Sequence, residues 1–249
     1  MLLPSEAAEE CWLLIGNSRW HWAVRRDDRL HCWSESPAGT GDHLLQTRLP
    51  GLRGWAAVGP VPDDAPLDPS LRLHTADVPL ASLPGWLGVD RALVAWQAWR
   101  LGGGAALVAD AGTALSFTRV DGTGSFAGGR IQAGRALQLR SLAAATSQLP
   151  EVYRLPEDGE AVPLDSWPHA TAEAMEQGVR LGMVASVAAA WHDLRRSDPG
   201  CRLWITGGDG AWLAAALGVP CRPDLALEAL VTLSPDRDRP GWCRPSSPP

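Results

Sequence analysis

Short apolar runs that end at glycine turns organise the first part of the chain. Residues 11–15 read CWLLI, and the turn at 16–18 reads GNS. Residues 20–24 then alternate between large apolar side chains and smaller or polar ones, which is typical of a strand with one buried face. A charged turn at 26–29 separates this strand from a third one at 30–33. Three strands joined by short turns predict an antiparallel meander.

The same order of elements restarts after residue 104. A further strand at 55–58 and a helix at 92–101 complete the first part, and the helix ends at three consecutive glycines. An apolar run at 105–110 then leads into another glycine turn. Residues 115–120 alternate again, and the DGTG at 121–124 is typical of a hairpin turn. The chain therefore contains a second strand–turn–strand unit.

The last part of the chain is mainly helical. Helices are predicted at 135–146 and 171–196, followed by a strand at 202–206 that leads into the stretch GGDG. The second helix carries one apolar stripe at a spacing of four residues: Met175, Val179, Met183, Val187 and Trp191. The longest apolar stretches are far shorter than the roughly 20 residues that span a bilayer, so no membrane partner is expected.

Internal similarity predicts a duplicated architecture. LLIGNS at 13–18 overlays ADAGTA at 109–114, and each comprises a strand, a glycine turn and a second strand. Such a duplication predicts two similar α/β domains that face each other across a cleft lined by both glycine turns. The predicted segments are a loose leader at 1–10, an N-terminal domain at 11–104, a C-terminal domain at 105–234 and a flexible tail rich in proline, arginine and serine at 235–249.

Composition narrows the chemistry. The chain has 249 residues, and all 22 of its basic residues are arginines. The absence of lysine excludes a Walker A phosphate loop and a Schiff-base lysine. A formal net charge of −6 argues against a nucleic-acid partner. The five cysteines are widely separated, which fits a reducing, cytoplasmic location. Any phosphate chemistry must therefore use backbone amides, arginine or a metal ion.

Three glycine turns follow predicted strands and are candidate phosphate sites. In Asp110-Ala111-Gly112-Thr113, backbone N–H groups and a hydroxyl suit phosphate oxygens, and the carboxylate suits a cation. The alternative is an aspartate that only stabilises a turn. The turn at 16–18 is similar but lacks the acid. Residues 206–210, TGGDG, form another backbone cradle or an ordinary strand-to-helix loop.

A fourth motif, Gly88-Val89-Asp90-Arg91, stands at the start of the first predicted helix. An aspartate in this position often only caps the helix. The functional alternative is a carboxylate that accepts the proton of a hydroxyl group, beside an arginine that holds an anionic substrate.

Together these motifs resemble the type III pantothenate kinases, which belong to the superfamily of acetate and sugar kinases, heat-shock ATPases and actin. The resemblance extends from about Trp12 to Leu233. It rests on the order and spacing of separate motifs: 14–21, 87–91, 110–114, Gly128-Gly129-Arg130-Ile131 with Gly134, Gln148-Leu149-Pro150, Thr171 with Gly178, and 206–209. The fold that this resemblance implies is a pair of duplicated ribonuclease H-like domains, as in the actin-like ATPases.

The activity that the resemblance implies is transfer of the γ-phosphoryl group of ATP to the primary hydroxyl of pantothenate. This is the first step towards coenzyme A. The resemblance also implies Mg²⁺ or another divalent ion, and K⁺ or NH₄⁺ as a monovalent cation. It further implies a homodimer in which the partner subunit covers part of the pantothenate pocket.

The resemblance also implies roles for individual residues. Asp90 takes the place of the general base, Asp110 that of the monovalent-cation ligand, and Thr113 that of an ATP-phosphate ligand. The pantothenate site corresponds to Gly88, Val89, Asp90, Arg91 and Thr171. The first phosphate loop corresponds to Leu14, Ile15, Gly16, Asn17, Ser18, Arg19, Trp20 and His21.

Two positions depart from the family pattern. The first turn of the family begins with Asp, reading Asp-x-Gly-Asn-Thr, whereas this chain has Leu14 there. The same motif often ends in Lys, and here His21 stands in that place. The internal overlay shows the same difference, because Leu14 falls opposite Asp110. Leucine cannot bind a metal ion, so the ATP half of the site is altered while the pantothenate half matches.

Several interpretations follow from these departures. Activity is retained with the metal held by other groups, or turnover is slow, or the chain is a degenerate, non-catalytic regulator that binds pantothenate or a nucleotide. A further alternative is a kinase or phosphatase of the same superfamily that acts on another small hydroxyl compound. The motif Gly88–Arg91 argues against this last interpretation.

Overall fold

The computed structural model describes residues 9–36, 48–152, 164 and 166–234. The chain divides into two compact units. One unit comprises the residues up to Gln97 together with those from Asp224 onward, and the other comprises Ala98–Pro223. Nearly all of the predicted leader and the whole predicted tail lie outside the described residues. Within the described ranges, no helix has the length and hydrophobicity that crossing a bilayer requires.

The first unit is built on a mixed four-stranded sheet of order β3-β2-β1-β4. Strands β1 and β2, and β2 and β3, pair antiparallel, whereas β4 pairs parallel to β1. The strands are β1 (Cys11–Ile15), β2 (Trp20–Arg26), β3 (Arg29–Glu35) and β4 (Leu52–Ala57). Two helices accompany them: α1 (Val89–Gly102) and, from the later part of the chain, a helix at Leu225–Leu233. The residues of α1 from Ala98 onward belong to the second unit. The predicted meander is confirmed.

One face of the first sheet carries an aromatic-rich core. Trp22 is fully buried, and Leu13 opposite it on β1 is also inaccessible. The ring of Trp22 stacks on Trp33 with a centroid distance of 6.4 Å. The predicted alternation places Trp20, Trp22 and Val24 in this core, because alternate side chains on a strand point to the same face, but Ala23 on the other face is also fully buried. The predicted turn at 26–29 is made by Asp27 and Asp28, which both have positive φ.

The second unit repeats the first sheet. The order of its strands is β7-β6-β5-β8. Strand β6 pairs antiparallel with both β5 and β7, and β8 pairs parallel with β5. The elements are β5 (Ala106–Ala111), β6 (Ala114–Val120), β7 (Phe126–Ala133), α2 (Arg135–Ala145), α3 (Thr171–Ser197), β8 (Arg202–Thr206) and α4 (Gly210–Leu217); the helix at Leu225–Leu233 is α5. Two sheets of the same order and direction confirm the predicted duplication.

The predicted apolar stripe of α3 lies in the core of the second unit. Met183 and Val187 are fully or almost fully buried, and Trp191 packs against the same cluster. The DGTG hairpin is also confirmed, because Oδ1 of Asp121 accepts hydrogen bonds from the backbone N–H groups of Thr123 and Ser125 at 2.9 and 3.0 Å.

The structure differs from the sequence predictions in three places. Helix α5 packs on β1, β2 and β4 of the first unit, although its residues lie within the predicted C-terminal segment 105–234. Strand β7 was not predicted, because it is an edge strand rich in glycine and has no clear apolar alternation. Glu10, assigned to the leader, already accepts a hydrogen bond from the N–H of Arg25 at 3.0 Å.

Candidate active site

The first glycine turn lies between β1 and β2. The N–H of Gly16 donates to the carbonyl of Arg19 at 3.0 Å and closes the turn. Residues 17–19 are exposed, whereas Ile15 and Trp20 at the ends of the strands are buried in the core. Among the residues matched to the first phosphate loop, those at 17–19 are therefore accessible to a ligand. Ile15 and Trp20 instead pack in the core and anchor the turn.

Leu14 is a buried apolar residue at a position where its counterpart in the second sheet is an aspartate. It is 5% exposed and pairs with Ala56 on β4. Asp110, the equivalent residue of the second sheet, pairs with Thr206 on β8. The overlay of the two glycine turns is therefore confirmed at this position, and the acid is absent from the first unit. A leucine side chain at this point contributes packing and cannot bind a cation.

His21 stands directly across from Leu14 on β2. Its Nδ1 lies 2.7 Å from Oγ of Ser34, and its Nε2 lies 3.4 Å from the position that a Cβ atom on Gly16 would occupy. Burial lowers the pKa of His21, and the nearby Arg19 charge lowers that pKa further. The imidazole is thus held beside the first glycine turn with its neutral form favoured.

The second glycine turn lies between β5 and β6 and carries Asp110 at its start. The N–H of Gly112 donates to the carbonyl of Ala114 at 3.0 Å, and Gly112 and Thr113 are both exposed. This turn has two residues between the strands, whereas the first turn has four. The sequence overlay therefore holds up to Gly112 and loses register after it.

Two further glycines pack against this second turn. A Cβ on Gly207, whose φ is +92°, would lie 2.5 Å from Oδ1 of Asp110. A Cβ on Gly134 would overlap the carbonyl oxygen of Gly112, and the N–H of Gly134 donates to the carbonyl of Thr113 at 3.0 Å. The loop at 206–210 and the start of α2 are thereby brought against Asp110 and Thr113. Only glycine permits backbone approach this close.

A buried ionic network, which sequence reasoning missed, supports the loop at 206–210. Arg135 is ion-paired with Glu176, with its Nε donating to Oε1 at 2.6 Å, and both residues are 5% exposed. A second nitrogen of Arg135 lies 3.5 Å from Oδ1 of Asp209, which also accepts a hydrogen bond from Nε1 of Trp212 at 3.0 Å. The available signal was an arginine two residues after the glycine-rich β7, in a chain without lysine.

The motif Gly88–Arg91 lies at the start of α1. Oδ1 of Asp90 accepts the N–H of Arg91 at 2.7 Å, and a Cβ on Gly88 would lie 2.5 Å from the same oxygen. Burial raises the pKa of Asp90, and this effect is opposed by the hydrogen bond from Arg91 and by its charge. The Asp90 carboxylate is therefore partly desolvated and lies against Gly88, and its hydrogen bond from the N–H of Arg91 also fits the capping alternative.

A cavity of about 230 Å³ adjoins this motif. It is lined by the end of β4 at 57–58, the segment 72–75 and the turn at 87–89. Val58 lies between this motif and the first glycine turn, because its N–H donates to the carbonyl of Ile15 at 2.9 Å while its Cγ1 lies 3.4 Å from the Cβ position of Gly88. The first unit thus places the motif at 88–91 beside this cavity, and Val58 in the cavity wall is hydrogen-bonded to the end of β1, just before the first glycine turn.

Thr171 is the first residue of α3 and is exposed. It belongs to the second unit, with Asp110 and Thr113. As for metal ligands, the described parts of the chain contain no group of three or more His, Cys, Asp or Glu side chains that could hold an ion. Asp110 supplies a carboxylate beside backbone carbonyls, a donor set that suits a hard cation such as K⁺.

In sequence, the chain is similar to type III pantothenate kinases over most of its length. The sequence profile described as type III pantothenate kinase matches residues 77–193. The type III pantothenate kinase of Synechococcus elongatus is 35% identical over 230 residues, covering 87% of this chain and 90% of that protein. The enzyme of the same name from Synechococcus sp. strain JA-2-3B'a(2-13) is 40% identical over 232 residues, covering 89% and 85% respectively.

Solved structures show the fold. A protein from Campylobacter jejuni assigned to the Baf family of transcriptional activators aligns with a TM-score of 0.59 at 18% identity, covering 90% of this chain and 96% of that one. A 2-dehydro-3-deoxygalactonokinase from Sinorhizobium meliloti aligns with a TM-score of 0.51 at 14% identity, covering 90% and 95%. The fold is thus the duplicated ribonuclease H-like α/β fold, which confirms the predicted fold class. From its relatives in sequence, the chain belongs to the type III pantothenate kinase family.

Proposed function

We propose that this chain transfers the γ-phosphoryl group of ATP to the primary hydroxyl of pantothenate, giving 4'-phosphopantothenate in the first step of coenzyme A synthesis. The observation that carries this proposal is the set of relatives named type III pantothenate kinase, which are 31–40% identical over 80–90% of the chain. The motif Gly88–Arg91 lies inside the segment that the family profile matches, whereas the other cavity walls, at 57–58 and 72–75, precede that segment.

Asp90 is the general base of the proposed reaction. Its carboxylate would accept the proton of the pantothenate hydroxyl as that oxygen attacks the γ-phosphorus, and a positioned base of this kind contributes typically ~10²–10⁴-fold in rate. Its raised pKa makes it a stronger base than an exposed aspartate. Gly88, Val89 and Arg91 would line the acceptor site, and the assignment of Thr171, which belongs to the second unit, stays a prediction from the family motif.

The second glycine turn is the proposed phosphate and monovalent-cation site. Asp110 would bind K⁺ or NH₄⁺, and the exposed hydroxyl and amide of Thr113 would bind ATP phosphate oxygens. Gly134 and Gly207, which pack against this turn, would fix the directions of its backbone N–H groups. Fixed donors matter because phosphoryl transfer depends mainly on positioning and charge stabilisation.

The first glycine turn is the proposed second phosphate loop. The residues from Asn17 to Arg19 would offer backbone N–H groups, since the N–H of Gly16 closes the turn, and His21 would stand where the family often has lysine. Mg²⁺ that arrives with ATP supplies positive charge at the phosphates. Because Leu14 replaces the family acid, we propose that this ion is held by phosphate oxygens, water and acids other than residue 14.

The chain acts as a homodimer in this proposal, as the family resemblance implies, and works in the cytoplasm. Sedimentation or light scattering of the purified protein tests the dimer. A mass equal to one chain under the conditions of turnover would contradict it.

Pantothenate-dependent release of ADP tests the proposed function. ADP release is measured with ATP, Mg²⁺ and K⁺, with and without pantothenate, and again with Na⁺ in place of K⁺. We expect release that requires both pantothenate and K⁺ or NH₄⁺, and loss of activity in Asp110→Ala. Release without pantothenate would overturn the substrate assignment, and full activity in Na⁺ alone would overturn the cation assignment.

The same experiment separates this function from the non-catalytic alternative. A regulator would bind pantothenate in a calorimeter without releasing ADP. Only the replacement of the family acid by Leu14 favours that alternative, whereas the named relatives are kinases. A panel of other small hydroxyl compounds separates it from a kinase of different substrate specificity.

A further inference from the structure

The walls of the cavity beside Asp90 are joined by a threonine side chain. The segment 72–75 lies alongside β4, where the N–H of Leu73 donates to the carbonyl of Trp55 at 2.7 Å. At the end of this segment, the Oγ1 hydroxyl of Thr75 donates to the carbonyl of Leu87 at 2.8 Å. Both the segment 72–75 and the turn at 87–89 line the cavity. Thr75 thus ties one wall of the cavity to the turn that carries the catalytic motif.

The bond from Thr75 acts on a peptide group that matters for the acceptor site. The carbonyl of Leu87 and the N–H of Gly88 belong to one planar, trans peptide group, so they point in opposite directions. Holding the Leu87 carbonyl therefore fixes the direction of the Gly88 N–H. Gly88 lines the cavity and lies under the carboxylate of Asp90.

The carbonyl of Leu87 depends on the Thr75 hydroxyl as its hydrogen-bond donor. Leu87 is 3% exposed, and the hydrogen-bond ladder of α1 begins one residue later, where the N–H of Ala92 donates to the carbonyl of Gly88. A buried carbonyl that accepts no hydrogen bond within the helix carries a desolvation cost when its donor is removed. The peptide group then rotates so that the carbonyl meets another donor. Rotation of this peptide group would displace the Gly88 N–H and disturb the contact between Gly88 and Asp90.

We propose that Thr75 is a positioning residue for the acceptor pocket: its hydroxyl fixes the Leu87–Gly88 peptide and thereby the pantothenate-binding edge of the cavity. This inference rests on the proposed function, because it assigns the cavity to pantothenate. It predicts a defect confined to the acceptor substrate, since the contacts of Thr75 lie at the acceptor cavity and not at the glycine turn of Asp110.

The test compares Thr75→Val, which keeps the shape and removes the hydroxyl, with Thr75→Ser, which keeps the hydroxyl. The matched control is Thr232→Val, because Thr232 also donates to a backbone carbonyl, that of Glu228 at 2.7 Å, but lies on α5. For each variant, KM and kcat are measured for both substrates, the Kd of pantothenate is measured by calorimetry, and Tm is recorded. Thr75→Ala serves as a second hydroxyl-free variant should Thr75→Val fold poorly.

We expect Thr75→Val to raise the KM and the Kd for pantothenate about five- to tenfold, the usual effect of losing one hydrogen bond, while the KM for ATP changes less than about twofold. Thr75→Ser should restore most of the affinity, and Thr232→Val should match the wild type. The proposal is overturned by an unchanged pantothenate KM in both hydroxyl-free variants, by equal defects for both substrates, or by a Thr75→Ser variant as weak as Thr75→Val. Failure of the proposed function would instead appear in the wild type, as ADP release that ignores pantothenate.

Discussion

Gly207 and Asp110 are packed so closely that residue 207 has no room for a side chain. A Cβ on Gly207 would lie 2.5 Å from Oδ1 of Asp110 and 2.6 Å from the carbonyl oxygen of Ala111. The backbone angle φ of Gly207 is +92°, a value that residues with a side chain rarely adopt. The loop after β8 therefore determines where the Asp110 carboxylate can lie.

Gly207→Ala should weaken both folding and cation use. We expect a loss of about 1–3 kcal/mol in the free energy of unfolding, from backbone strain and steric overlap, together with a higher K⁺ concentration for half-maximal activity. Gly208→Ala is the matched control, because a Cβ at that neighbouring position meets nothing within 4 Å. Urea unfolding and K⁺ titration measure the two effects. Equal behaviour of the two variants would contradict the packing argument.

Asp90→Asn should abolish turnover and spare folding. The amide cannot accept a proton, so kcat should fall by ~10²–10⁴-fold, whereas its oxygen can still accept the N–H of Arg91. Asp64→Asn, at an exposed loop carboxylate, should leave kcat unchanged. A fully active Asp90→Asn variant with wild-type Tm would exclude Asp90 as the base.

The raised pKa of Asp90 also predicts the pH dependence. As pH falls, activity should be lost at a higher pH than an ordinary aspartate would give, because the base must be ionised. The stability of the fold depends on pH in the opposite direction to the activity. A carboxyl whose pKa is raised by folding stabilises the protein at pH values below its unfolded pKa, and this stabilisation is lost as pH rises through the folded pKa. Asp90→Asn should therefore be at least as stable as wild type near pH 7, and the difference should disappear in acid. Tm measured across pH checks this.

Leu14→Asp should make the first glycine turn resemble the second. The new carboxylate would be buried beside Ala56 and His21, so we expect about 2–4 kcal/mol of lost stability without nucleotide. Mg·ATP should raise the Tm of this variant more than that of Leu14→Asn, which has the same shape without the charge. An equal rise in both variants would show that the metal site does not extend to position 14.

Arg135 and Glu176 should be strongly coupled. Arg135→Met leaves the Glu176 carboxylate buried without its partner, at a cost of about 3–5 kcal/mol, whereas the double variant Arg135→Met with Glu176→Met should recover part of this loss. Arg26→Ala, which breaks an exposed ion pair with Glu9, is the control and should change little. A double-mutant cycle from urea unfolding measures the coupling. Additive losses would refute it.

The sequence by itself determined the repeated local elements. Alternation of side chains identified the paired strands, and glycine turns identified their ends, because both signals act between residues close in the chain. The spacing of four along α3 identified its buried stripe in the same way. The motifs at 88–91 and 110–113 are recognisable by residue type and order, so the sequence alone shows the likeness to the family. The roles of those residues stay predictions until they are tested.

Only the tertiary structure decided which distant residues meet. Arg135 and Glu176 are 41 positions apart, and Arg135 and Asp209 are 74 apart, so no local pattern indicates their contact. The placement of α5 on the first sheet and the bond from Thr75 to Leu87 likewise depend on how the chain returns to a surface formed earlier. Local periodicity reports whether a residue is buried, but the partner of a buried charge or carbonyl is set by packing, which minimises unpaired polar groups over the whole fold.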